Sequence, residues 1–169
     1  RSGLATTEAK AALAEMYCSQ YDIEDLDIVA NYGRLRSGDL DFVIGDLKPT
    51  VEACHKYGTK VKVIIETDFL TPGQIADGTR CAIKAGADYI KSSTGFVTGV
   101  PSVGATTEVV AKMMEAAKEK IKVKGSGGIR TREHFLELID MGVDRMGIGY
   151  RSTPVVLGMS AEEAKKLAE

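Results

Sequence analysis

Residues 60–67, KVKVIIET, decide the fold of this 169-residue chain. Lysine alternates with valine at Lys60-Val61-Lys62-Val63 before Ile64 and Ile65 extend the run, the signature of a strand with an aliphatic face. Thr71-Pro72-Gly73 then opens a helix, since threonine caps a helix start and proline is tolerated in its first turn. That helix runs to about Ala85, where Gly86 stops it.

The same strand-then-helix unit recurs on both sides. Upstream, Leu26 to Asn31 (LDIVAN) is a β-branched run. A turn containing Gly33 and Gly38 follows, and residues 39–57 place Leu40, Val43, Ile44, Leu47, Val51 and Cys54 at helical spacing. Downstream come strands over 88–92 (DYIKS), 121–124 (IKVK) and 144–149 (DRMGIG), alternating with helices over 106–119 and 131–141. Helices over 7–17 and 160–168 complete the set. Alternating βαβα with short links requires parallel strands with helices packed outside. Five such strands fit either an open doubly wound sheet or a (β/α)8 barrel entered partway, because a closed barrel typically needs about 250 residues. The pattern leaves both open.

One domain, residues 1–169, is expected from the length. Hydrophobic residues make up 44% and charged residues 27%, as in an ordinary soluble globular protein. A formal charge of −2 gives no bulk attraction to nucleic acid or to a membrane surface. No apolar run reaches the roughly 20 residues of a membrane span, and no signal-peptide pattern is read at Arg1-Ser2-Gly3. Cys18, Cys54 and Cys81 are widely spaced and read as ordinary buried thiols of a reducing compartment. A cytoplasmic protein is the expectation.

In either architecture ligands gather at the carboxyl ends of the strands. Tyr89, Lys91 and Ser93 share one face of their strand, and Lys122 and Lys124 share a face of theirs. Lys91 and Lys124 therefore end neighbouring strands about 5 Å apart in backbone terms. Two ammonium groups in a partly dry mouth favour loss of a proton, through desolvation and mutual repulsion. From a value near about 10.4 the pKa can fall towards about 7, supplying a free amine that attacks a carbonyl and forms an iminium. Lys91 is the nucleophile candidate and Lys124 the perturbing charge; solvated strand ends or phosphate ligands are the plainer reading of both. Asp27, mid-strand in an apolar run, is either a proton shuttle or an ion-pair partner of Lys62.

Gly125-Ser126-Gly127-Gly128-Ile129-Arg130 lies between a strand and a helix, where glycines let backbone N–H groups approach an anion. Gly147-Ile148-Gly149 stands at the next strand end, and paired loops after the last two strands are where a barrel holds phosphate. Arg151 and Ser152 could add a charge-assisted and a hydroxyl contact. Residues 97–105 (VTGVPSVGA) have the composition of a mobile lid. His55 and His134 lack metal-ligand spacing and read as surface or packing residues. Lys112, Lys118 and Lys120 with Glu115 and Glu119 read as a solvated helix face.

These stretches resemble the deoxyribose-phosphate aldolase family of class I, Schiff-base aldolases. The matching segments are Leu26-Asp27-Ile28-Val29-Ala30-Asn31, Val61 to Thr67, Ala85 to Phe96, and Val123-Lys124 with Ser126-Gly127-Gly128-Ile129-Arg130-Thr131, in family order over most of the chain. The resemblance implies a (β/α)8 barrel of which this chain supplies roughly strands four to eight, without the earlier ones. It implies reversible cleavage of 2-deoxy-D-ribose 5-phosphate to acetaldehyde and D-glyceraldehyde 3-phosphate, with no metal or organic cofactor. By position, Lys91 resembles the imine-forming lysine, Lys124 the second lysine and Asp27 the proton-relay aspartate. Thr94, Gly95, Gly127, Gly128, Gly147 and Gly149 fall in the family's substrate and phosphate region. Tyr150 replaces one of the serines the family usually carries beside the last strand's glycine, and so is expected to reshape the phosphate pocket. The alternatives are a non-catalytic phosphosugar-binding relative, or another barrel enzyme acting on phosphorylated small molecules. The partner implied is the small phosphosugar, and a homo-oligomer is compatible with the resemblance.

Overall fold

The computed structural model describes residues 3–160, 162 and 163. In chain order the elements are α1 (Thr7–Gln20), β1 (Asp25–Val29), α2 (Tyr32–Arg36), α3 (Leu40–His55), β2 (Lys60–Ile64), a 3-10 turn (Thr67–Phe69) and α4 (Pro72–Ala85). There follow β3 (Tyr89–Lys91), α5 (Thr107–Ala117), β4 (Lys122–Ser126), α6 (Arg132–Asp140), β5 (Arg145–Gly147) and α7 (Thr153–Val156). Most of the helix expected over 160–168 lies outside the described residues.

The strands form one parallel sheet in the order β1-β2-β3-β4-β5. This order decides between the two architectures. A doubly wound sheet reverses its strand order at a switch point and carries helices on both faces. A strictly sequential order of right-handed crossovers keeps the helices on one face and curls the other inward. The chain is therefore an arc of a (β/α) barrel.

The degree of curl can be read from side chains. In a flat sheet β1 and β5 would lie about 19 Å apart, at about 4.8 Å per strand spacing. Instead Arg145 Nη1 on β5 lies 2.5 Å from Asp25 Oδ2 on β1. The two outer strands of the arc thus face one another across its hollow.

Parity assigns the two faces. Val61, Val63 and Ile65 point outward from β2 and its end, joined by Ile28, Ile90 and Val123, and all are buried against α1, α3, α4 and α5. Each such aliphatic side chain contributes about 1.5–3 kcal/mol by leaving water. A smaller cluster of Ala105, Val110, Ile129, Leu138 and Val156 fills the space under α5, α6 and α7. Local signals hold the helices in place. Thr71 and Gln74 form a reciprocal cap on α4, and Gly86 ends that helix at φ 84°. Cys18, Cys54 and Cys81 are free and buried, and burial pushes the Cys54 thiol up to about 12 and Cys81 to about 11. Among the described residues no helix is long and apolar enough to cross a membrane.

Candidate active site

The inward face of the arc carries charge where the outward face carries aliphatic side chains. β1 contributes Asp25 and Asp27, β2 contributes Lys62, β3 Lys91, β4 Lys124 and β5 Arg145. Lys91 pairs in register with Lys124 on β4 and with Ile64 on β2. Asp27 pairs with Lys62. The expected juxtaposition of the two lysines is therefore present.

Lys91 is 8% exposed, and its Nζ lies 2.5 Å from Asp27 Oδ2. The other Asp27 oxygen lies 3.1 Å from Lys62 Nζ. Burial alone would raise the Asp27 carboxyl, but bonds and charge from Lys91 and Lys62, with the more distant charge of Lys124, hold it below its ordinary value. Asp27 thus touches both Lys62, the plain structural reading, and Lys91, the functional one. Below it, Asp25 binds Lys62 and Arg145, and the Arg145 guanidinium lies over the Tyr89 ring at 5.0 Å. Each inward carboxylate has a cation, which is what makes a charged interior tolerable.

The second lysine differs from the first. Lys124 is held below the usual lysine value, chiefly by burial and then by the charge of Lys91, with Asp27 opposing. The sequence suggests for Lys124 either a charge acting on Lys91 or a plain strand-end or phosphate-ligand role. In the structure the charge of Lys91 also acts on Lys124 itself, while the Nζ of Lys91 lies against Asp27.

The strand ends beyond the lysines enclose a cleft of about 370 Å³. Thr94, Gly95, Gly127, Gly128, Gly147, Gly149 and Ser152 line it, together with Phe96, Ser126, Ile129, Arg130 and Ile148. Its glycines act in different ways. Gly127 and Gly128 have φ of 85° and 74°, and a Cβ on Gly128 would lie 2.3 Å from the Val103 carbonyl oxygen. Among the described residues their N–H groups donate to no backbone acceptor. Gly147 instead leaves room, since a Cβ there would meet Ser126 Oγ at 2.8 Å. Ser152 starts α7 without a side-chain cap bond.

Three placements differ from the expectations. Arg151 does not line the cleft; its guanidinium lies over the Tyr150 ring at 5.1 Å, and Arg130 occupies the wall instead. Tyr150 is 70% exposed and stands outside the cleft, so its bulk does not reshape the pocket. Thr94 and Gly95 line the wall, but their N–H groups and the Thr94 hydroxyl are already donated within the protein, to Glu66 and Ser93. The helix start after the glycine run is likewise occupied, because Thr131 Oγ1 accepts from His134 N at 3.3 Å. The glycine loop itself is left with N–H groups that donate to no backbone acceptor among the described residues. His134 Nε2 meets the Ala105 carbonyl at 2.8 Å, and His55 meets Asp88, as packing residues.

Glu66, Asp25 and Arg145 were not singled out for these roles. Glu66 lay in the decisive strand, but its role depends on a backbone turn. A larger groove of about 580 Å³ lies between α4 and α5, on the helical side. It gathers Arg80, Lys84, Lys112, Lys118 and Lys120 and contains no strand-end residue, whereas the smaller cleft is built from strand ends, where barrels carry their sites.

Comparison with known proteins agrees with this fold. Residues 19–160 match the model of the DeoC/LacD family aldolases. The deoxyribose-phosphate aldolase of Thermococcus gammatolerans is 44% identical over 124 residues, 73% of this chain and 53% of that protein. An aldolase designated QR15 superposes with a TM-score of 0.79 at 36% identity, over 99% of this chain and 70% of that one. The deoxyribose phosphate aldolase of Aeropyrum pernix, described as having a unique tetrameric structure, gives 0.78 at 28% identity, over 99% of this chain and 65% of that one. The chain spans between 53% and 65% of the length of the first few curated relatives it matches.

Proposed function

Because the chain belongs to the DeoC/LacD aldolase family, we propose that it carries the catalytic strand ends of a deoxyribose-phosphate aldolase. The reaction is reversible cleavage of 2-deoxy-D-ribose 5-phosphate to acetaldehyde and D-glyceraldehyde 3-phosphate. The observation that carries the reading is Lys91, buried beside Asp27 at 2.5 Å with Lys124 in register on the next strand. Residues 1–169 act as one domain supplying the last five of eight barrel units. Its place is the cytoplasm, in carbohydrate and deoxyribonucleotide catabolism.

The free Lys91 amine adds to the aldehyde carbon of the open-chain sugar phosphate, and loss of water gives an iminium. Removal of the proton from the 3-hydroxyl lets the C2–C3 electron pair pass into the iminium, releasing glyceraldehyde 3-phosphate and leaving an enamine. Protonation at C2 and hydrolysis return acetaldehyde and the lysine. Lys124 makes the first proton of the pair easier to lose, and Asp27 orients Lys91 and relays protons through a water. The phosphate sits in the glycine cleft, on the N–H groups of Gly127 and Gly128, with the Ser152 hydroxyl and the Arg130 charge beside it.

Borohydride reduction in the presence of acetaldehyde tests the reading. An ethyl group retained on Lys91 in the peptide mass map is the expected result. No adduct, with phosphate binding intact, would favour a non-catalytic phosphosugar-binding relative or an isomerase.

A further inference from the structure

The residue that ends β2 has an unusual conformation for a buried side chain. Glu66 has φ 55° and ψ 68°, the left-handed region that favours glycine. Among the described residues the other non-glycine positions with positive φ, Lys118 and Glu119, sit at the exposed end of α5. Glu66 by contrast is 3% exposed, in the mouth of the arc. A residue held against its backbone preference persists only where its surroundings over-determine it, and such positions cluster at functional sites.

The surroundings here are specific. Glu66 Oε1 accepts from Ser93 Oγ at 2.7 Å and from Thr94 N at 3.1 Å, and Oε2 accepts from Thr94 Oγ1 at 2.5 Å. Ser93 Oγ in turn accepts from Gly95 N at 3.0 Å, and Thr94 Oγ1 accepts from Phe96 N at 3.1 Å. One carboxylate thereby fixes the loop that directly follows Lys91. Two residues on, Asp68 Oδ1 accepts from Val103 N at 3.1 Å and Gly104 N at 2.9 Å, fastening the far end of the same loop. Gly104 packs so closely on Gly127 that a Cβ would lie 2.4 Å from the Gly127 carbonyl. Both walls of the glycine cleft are thus set by a single turn, and neither acidic residue lines the cleft itself.

We propose that the turn after β2 braces the phosphate cleft, with Glu66 as a positioning residue that holds the Thr94–Gly95 wall opposite Gly127 and Gly128. The inference rests on reading that cleft as the phosphate site. Glu66 acts on binding of the phosphate end and leaves the amine chemistry of Lys91 in place.

The test uses Glu66→Gly, which relieves the backbone while removing the carboxylate, and Glu66→Gln, which keeps one acceptor oxygen. Three quantities are measured: KM for 2-deoxyribose 5-phosphate, direct titration with inorganic phosphate, and the rate of borohydride trapping by acetaldehyde, which has no phosphate. In Glu66→Gly we expect KM and the phosphate Kd to rise about tenfold, the scale of one lost charge-assisted contact. Trapping stays within about twofold, since acetaldehyde makes no contact with the cleft. Glu66→Gln falls between the wild type and Glu66→Gly. If Glu66→Gly does not fold, Asp68→Ala, which frees only the far end of the loop, is expected to weaken phosphate binding without slowing trapping. Unchanged phosphate affinity in a folded variant overturns the proposal, as does a loss of trapping that parallels the rise in KM. Failure of the wild type to be trapped while it still binds phosphate overturns the aldolase reading and leaves the brace standing. A wild type that binds no phosphate overturns the brace.

Discussion

The lysine layer and the glycine cleft lie a few residues apart on the same strand ends, yet they are built from opposite materials. The lysine layer consists of side chains and charge: inside the arc Asp25 and Asp27 are bound by Lys62, Lys91 and Arg145, and Lys124 stands beside them in register with Lys91. The cleft depends on missing side chains, with Gly127, Gly128 and Gly147 leaving backbone and space that a Cβ would fill. In the proposed reaction the first region would tune reactivity through electrostatics, and the second would recognise by shape and by the backbone N–H groups of Gly127 and Gly128. Substitutions in the lysine layer should therefore appear in kcat and in pH dependence. Substitutions in the cleft should appear in KM and in stability.

The sharpest way to break this division is Lys91→Met. Removing the amine proposed to form the imine should reduce turnover by on the order of 10⁴-fold or more and abolish borohydride trapping, while phosphate titration stays near the wild-type value. If phosphate affinity collapses as well, the two regions are one. Lys124→Met should come next, with turnover falling about 10²-fold.

Lys124→Met also carries a signed prediction for stability. Lys124 is depressed from 10.5 in the folded protein, so the unfolded chain binds more protons between the two values and wild-type stability rises with pH there. The Tm of the variant should exceed that of the wild type most at neutral pH, and the gap should narrow as pH rises towards 10.5. A gap independent of pH would remove the electrostatic account.

Gly128→Ala tests the other region. Its Cβ would be forced to within 2.3 Å of the Val103 carbonyl at φ 74°. Denaturant titration should show a loss of about 1–3 kcal/mol, together with a raised KM. Acetaldehyde trapping at Lys91 should change little. Smallest of all, Tyr150→Ser should leave stability within about 0.5 kcal/mol and KM within about twofold, because the ring is outside the cleft.

Much of this was legible in the sequence because it rests on local period. Alternation in KVKV gave β2 its faces, and the same parity put Lys91 and Lys124 on the inside. The capping signals at Thr71 and Gly86 fixed α4 to within two residues. The short helices α2 and α7 were missed, since five and four residues leave no room for a 3.6 period. The glycine run was recognisable as a turn between a strand and a helix, but Gly125 and Ser126 belong to β4, and Gly127 and Gly128 make the turn at positive φ. The choice between an open sheet and a barrel arc lay in strand order, a tertiary property. Arg151 was misplaced for a similar reason: a charge near a loop was visible in sequence, but its direction was not. The role of Glu66 was hidden because it depends on one left-handed residue, which glutamate does not advertise.

The pair between Asp25 and Arg145 joins residues 120 positions apart, whereas each strand otherwise pairs with the next strand in sequence. A chain of this kind can assemble unit by unit, each strand docking on the one before, and the pair forms only after β5 has been placed. Contacts made after the folding barrier govern how fast the native state is lost rather than how fast it is reached. Arg145 is then a latch on the time axis. Its removal would leave the folding rate nearly untouched and shorten the lifetime of the folded arc.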